Sequence, residues 1–206
     1  RIGIVRELLY TDLVDEEIRQ SVLIAANMLR EMGAQVEELS VPLAANAATI
    51  SGGIRVEAPV TYRNLLHDRP RDIAHDNRIG YMSGSIMPAP YYYKALQLRS
   101  LLRDQVLDTL GRVDLLLSPT TGVAAQLLEP DPVIDAKGKG NRIPWLLATT
   151  FSLANVPALS LPCGFTATGL PIGLQIAGRP FEESTVFQAG HAYEQQTGWH
   201  TRRPNI

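Results

Sequence analysis

The sequence is poor in the groups from which compact active sites are assembled. Of its 206 residues one is cysteine (Cys163), four are histidine, and only three are lysine: Lys94, Lys137 and Lys139. A lone cysteine cannot close an internal disulfide, so a reducing compartment and a cytoplasmic location are expected. His67, His75, His191 and His200 show no HxxxH or CxxC-like spacing, so neither a metal centre nor a cofactor is expected. Charge of one sign is also missing. The chain has 19 Lys and Arg against 21 Asp and Glu, a net charge of -2, and so lacks the basic excess that nucleic acid or an anionic membrane requires.

A further absence is local: no charged side chain occurs from Ile143 to Gly178. A membrane helix is excluded by the stretch itself, because Pro157, Pro162, Gly164, Gly169, Pro171 and Gly173 break it and several Ser, Thr and Asn side chains fall inside it. Two short buried strands fit, ALSLPC and IGLQIAG, joined by a turn at GFTATGLP. At 45% hydrophobic and 19% charged, the composition is that of a globular chain with one sizeable core. The opening RIGIVRELLY has neither an initiator Met nor a signal-type apolar segment, which suggests a piece of something longer.

Strand and helix alternate along the chain. RIGIV reads as a strand. Val14, Ile18, Val22, Ala25, Leu29 and Met32 follow at helical spacing, with Asp12 placed to cap, acidic residues in the first turn, and Gly33 as the stop. AQVEELSVP is a second strand, which makes the first forty or so positions a strand, helix, strand unit of a parallel sheet. From Leu43 to Leu110 the pattern is helical, broken near Pro70 and around SGSIMPAP. Its last helix places Leu98, Leu102, Val106 and Leu110 on one stripe. VDLLLSPTT reads as a buried strand running into a loop, 129–142 as a polar surface loop, and about Glu182 to Thr197 as a final helix. One domain over 1–206 is expected.

The chemistry-bearing residues do not complete a catalytic set. Cys163 has no histidine near it in sequence and reads as a buried structural cysteine. The glycine-rich stretch at 138–142 does not follow a strand and open a helix, as a phosphate loop does. SGG at 51–53 and SGS at 83–85 resemble fragments of a nucleophile loop, but no G-x-S-x-G elbow is present. A lysine base would have to be neutral and desolvated, whereas Lys137 and Lys139 sit in the polar loop and Lys94 in a helix behind Tyr91 to Tyr93.

A family resemblance emerges from three stretches. The run FSLANVPALSLPCGFTATGLPIGLQIAGRPFEESTVFQAGHAYEQQTGWH resembles the C-terminal end of the amidase signature family. RIGIVRE followed by a helix and MGAQVEELSVP is similar to that family's segment just after its catalytic core, and VDLLLSPTT is similar to one of its strands. The resemblance spans essentially the whole chain and is most specific from Pro157 to Gly178. It implies an α/β fold, a mixed and largely buried β-sheet flanked by helices on both faces. It also implies chemistry by a Ser, a second Ser with a cis peptide bond, and a Lys, in a Gly/Ser-rich segment upstream of the part matched here. The expectation is therefore the C-terminal part of an amidase that hydrolyses a carboxamide C–N bond, inactive alone and supplying pocket walls to a small-molecule amide.

The resemblance carries over to four positions. Arg78 falls near the first Arg of an R.R...G pattern, a region that in glutamine-using amidotransferase subunits supplies an Arg for the substrate carboxylate. Trp145 falls about where those subunits carry an Asp for the substrate amine, which a Trp cannot replace, so an amidase with an apolar or aromatic acyl preference is expected. Phe151 and Thr120 complete the expected pocket lining, and Ser152 and Asn155 depart from the Asn and Gly common in the family. The expected partner is the missing N-terminal half or another subunit, with self-association through exposed apolar faces as a further expectation. Two other readings remain at this stage: a non-catalytic binding or structural module, and a subunit of a glutamine-dependent amidotransferase.

Overall fold

A computed structural model describes residues 1–126 and 147–203. The expected loop at 129–142 and Trp145 lie outside the described residues. Among the described residues five strands form one sheet in the order β2-β1-β3-β5-β4. Here β1 is Ile2–Val5, β2 Val36–Leu39, β3 Leu115–Pro119, β4 Ala158–Phe165 and β5 Pro171–Gly178. β1 runs parallel to β2 and β3, whereas β5 is antiparallel to both β3 and β4, so the sheet is mixed.

Burial explains the strand sequences. Every residue of β1 and β3 is buried, and both are continuous apolar runs apart from Gly3 and Ser118, as expected for central strands covered on both faces. Residues paired across the ladder share a face, which makes the layers traceable. Leu161 pairs with Leu174 and Gly164 with Ile172, on the same face as Gly178. A Cβ on Gly190 would meet Leu159 and Leu161, one on Gly178 would meet Val186, and one on Gly164 would meet Ser21. Helices α2 (Glu16–Glu31) and α9 (Glu183–Gln196) therefore both cover that face. On the opposite face Val5, Leu116 and Ala177 are fully buried too. Helix α1 (Arg6–Leu9) packs against β3 and the turn at Pro42–Asn46.

The first crossover follows the expected logic. α2 buries Ile18, Val22, Ala25, Ala26 and Leu29, with Glu16 and Glu17 in its first turn and Arg30 in its last, each sign complementing the helix dipole. The helix begins later than the sequence suggests. Asp15, not Asp12, occupies the position before the first turn, and its carbonyl accepts from the N–H groups of Ile18 and Arg19. Gly33 stops the helix with φ +103°, where a side chain would be strained.

Between β2 and β3 the chain is helical. It forms α3 (Ala47–Ile54), α4 (Glu57–Thr61), α5 (Arg63–Asp68), α6 (His75–Ser85) and the long α7 (Ala89–Arg112). α7 starts with proline in its first turn, where a missing N–H costs nothing, and buries Leu102, Val106 and Leu110 completely while Leu98 is half-buried. α8 (Thr149–Ala154) packs on α3 and α7. It ends at Asn155, whose φ of +52° is left-handed, a conformation that asparagine tolerates better than most residues.

Two arginine clamps fix the connections. Arg99 donates to the Leu153 carbonyl at 3.1 Å and to Asn155 Oδ1 at 3.0 Å, and Arg103 donates to the carbonyls of Ala154 and Asn155. These satisfy carbonyls that the end of α8 leaves unpaired. Arg179, after β5, donates to the carbonyls of Leu110 and Val113 at 2.9 and 2.8 Å and pairs with Asp114 and Glu182.

One expectation is corrected. β5 is buried over most of its length, but β4 is the last strand of the sheet and leaves Ala158 and Ser160 exposed. ALSLPC is an edge strand covered by helices on one face and open on the other at Ala158 and Ser160, rather than one enclosed on both faces.

Candidate functional site

The β4 end of the sheet carries a group of neutral polar residues, whereas the other edge strand, β2, carries the exposed Glu37 and Glu38. Ser118 of β3 and Ser160 of β4 both pair with Gln175 of β5, so the three side chains form a row across one face. That face is opposite the one covered by α2 and α9. Ser118 is fully buried and its Oγ lies 3.4 Å from Gln175 Oε1, to which it donates. One step beyond, Thr120 leaves β3, donates its backbone N–H to the Gly173 carbonyl at 2.9 Å, and places its Oγ1 2.7 Å from Ser160 Oγ. Gly173 makes this pair fit, since a Cβ there would lie 2.8 Å from Thr120 Oγ1 and 3.2 Å from Ser160 Oγ. Burying hydroxyl and amide groups in a sheet is unfavourable unless they find partners, and here they partner each other.

The row is neutral. Hydroxyls and a primary amide can donate and accept, and so can orient a carbonyl or amide group, but none of them can serve as a base near neutral pH. Among the described residues no carboxylate, imidazole or ammonium is hydrogen-bonded to Ser118, Thr120 or Ser160.

The expected site residues are dispersed. Thr120 belongs to this row. Arg78 lies on α6, where its guanidinium donates to the Pro70 carbonyl at 3.1 Å and meets His75 Nδ1 at 3.5 Å, so it fastens the start of α6 to the preceding turn. Phe151 is 1% exposed and packs in the core from α8. Trp145 precedes α8 outside the described residues. Ser51 sits in α3 and Ser83 and Ser85 in α6, as helix residues. Cys163 is buried, and burial pushes its thiol up to about 12, which keeps it protonated and unreactive. Burial, with Cys163 adding to it, also pushes the Tyr193 phenol up to about 12. Among the described residues no group of His, Cys, Asp or Glu could hold a metal ion, and no helix is long and apolar enough to cross a membrane.

Ser118, Ser160 and Gln175 are not among the residues that the sequence singles out. Their signal is a polar residue in the middle of an otherwise apolar strand, LLLSP, ALSLP and GLQIAG, and only the strand register shows that the three coincide.

A mixed sheet with helices on both faces and a neutral polar row at its open end defines an α/β domain able to position a polar group without ionising it. Comparison with known proteins places that domain. The family model described as Amidase matches residues 1–187. A Pseudomonas putida amidase is 33% identical over 205 residues, covering 96% of this chain and 43% of the relative. A glutamyl-tRNA(Gln) amidotransferase component from Chloroflexus aggregans is 32% identical over 233 aligned positions, covering 100% of this chain and 46% of that relative. A crystal structure of an amidase superposes with a TM-score of 0.82 at 28% identity, covering 96% of this chain and 45% of that one. The chain belongs to the amidase signature family, and it spans less than half the length of the relatives it matches.

Proposed function

We propose that this chain is the pocket-bearing part of an amidase whose nucleophile lies outside these 206 residues. The observation that supports this most is the open end of the sheet. A neutral row of Ser118, Gln175 and Ser160, with Thr120 beside it, reaches β4, an edge strand among the described residues, in a chain that spans under half the length of its relatives. Such an edge is a template for pairing with further polypeptide, whether a preceding half or another subunit.

In this reading a serine from the other part attacks the carbonyl carbon of a carboxamide while a lysine, through the cis-Ser, takes the serine proton. The tetrahedral oxyanion is held by backbone N–H donors, the C–N bond breaks as the leaving nitrogen gains a proton, and water hydrolyses the acyl-serine to carboxylate and free enzyme. The residues of this chain bind and orient. Thr120 offers a hydroxyl to the amide, Trp145 supplies an apolar wall, Arg78 meets an anionic group by exchanging the Pro70 carbonyl for it, and Phe151 backs the lining from the core. The preference that follows is for an apolar or aromatic acyl group, with no metal or organic cofactor.

A second reading, a subunit of a glutamine-dependent amidotransferase, draws on the relative named as an amidotransferase subunit. Trp145, at the position where the resemblance expects an Asp for the substrate amine, disfavours it. The two separate on one assay. The native polypeptide containing this chain is given a panel of alkyl and aryl amides and, separately, glutamine. Release of ammonia or amine from apolar amides supports the amidase, release from glutamine alone supports the amidotransferase, and no release from any amide or ester refutes both.

A further inference from the structure

Away from the open end of the sheet, α3 and α7 diverge to leave a cleft of about 640 Å³. The helices touch where a Cβ on Gly53 would lie only 2.6 Å from the Cβ of Ala95. One residue earlier the situation reverses: Gly52 has no atom within 4 Å of where its Cβ would stand, so the helix pair opens there. Ile50, Met87, Tyr91, Ala95 and Leu98 make the walls apolar, and Tyr91 is 67% exposed at the rim. The volume falls in the range typical of small-molecule sites, roughly 300–1,000 Å³.

Among the described residues a single charged side chain, Lys94, lines this cleft. Among the described residues it has neither an ion-pair nor a hydrogen-bond partner, whereas the neighbouring Tyr92 is tied to Glu57 at 2.9 Å. An unpaired ammonium beside an apolar concavity complements one kind of ligand, an apolar body with a single anionic head. We propose that the cleft between α3 and α7 binds a small alkyl or aryl carboxylate, with its apolar body against Ile50, Met87, Tyr91 and Leu98 and its carboxylate on Lys94 Nζ. A neutral amphiphile would leave the ammonium unused, and a cationic one would be repelled by it.

Octanoate, octanol and octylammonium, titrated calorimetrically into the native polypeptide containing this chain, test this without any turnover and so independently of the amidase reading. Octanoate binds at one site, octylammonium does not bind, and Lys94→Gln, an exposed change that leaves the core intact, weakens octanoate by about tenfold while leaving octanol unchanged. Gly52→Leu, which adds a good helix former where there is open space, fills the cleft and removes both ligands. Octanoate affinity unchanged by Lys94→Gln, octylammonium binding as tightly as octanoate, or no heat up to millimolar octanoate would overturn the proposal. So would a dimer in sedimentation that octanoate does not disperse, since a second copy would then fill the cleft.

Discussion

Thr120 and Ser160 are 40 positions apart in sequence, yet their hydroxyls lie 2.7 Å from each other, joined across Gly173 of the strand between them. The pair stands at the β4 end of a sheet whose central strands β1 and β3 are almost wholly apolar, and it carries the functional reading of this chain.

Thr120→Val keeps the shape and removes one partner of the pair. Because Ser160 is exposed and can turn to water, the stability cost is small, about 1 kcal/mol or less. In the native polypeptide kcat/KM on an apolar amide falls by about tenfold or more, the size of one lost substrate hydrogen bond. Parallel urea melts and steady-state kinetics check this; a large loss of stability with unchanged kinetics would make the pair structural only.

Gly173→Ala pushes a methyl group against both hydroxyls, at 2.8 and 3.2 Å. The expected loss is roughly 1–3 kcal/mol, as for other overpacked sites. Adding Thr120→Ser, which removes the γ-methyl group and lets the hydroxyl turn aside, recovers part of it. A double-mutant cycle by chemical denaturation reads the coupling, and strict additivity would show that the two residues do not interfere.

How much of this is legible in the sequence follows from how local each signal is. The β1, α2, β2 unit is legible because its helical period, its acidic first turn and Gly33 all lie within one segment. Asp12 is a misleading cap because Asp15, three positions on, offers the same chemistry, and only the backbone decides between them. The exposure of Ser160 is hidden for a different reason. A strand covered on one face and one covered on both can share the same neutral, apolar pattern, and what separates them is whether a further layer lies over the second face. The arginine clamps are equally hidden, since Arg99 and Arg103 act on carbonyls more than fifty positions away.

Arg103→Met retains much of the stem but leaves the carbonyls of Ala154 and Asn155 without their donor. A loss of about 1–3 kcal/mol is expected in urea unfolding, concentrated at the corner between α8 and β4. Hydrogen exchange of the Asn155 and Val156 amides rises more than that of β1. Uniform exchange across the sheet would contradict the clamp.

The most direct test of the central claim is to locate the nucleophile. The native polypeptide containing this chain is labelled with a fluorophosphonate that traps activated serines, digested, and the modified serine identified by mass spectrometry, with amide turnover followed on the same sample. The expected result is one labelled serine outside these 206 residues, with label and turnover lost together when a slow amide substrate competes. A label on Ser118, Ser160 or any other serine of this chain, or amide hydrolysis that persists after complete labelling, would contradict it.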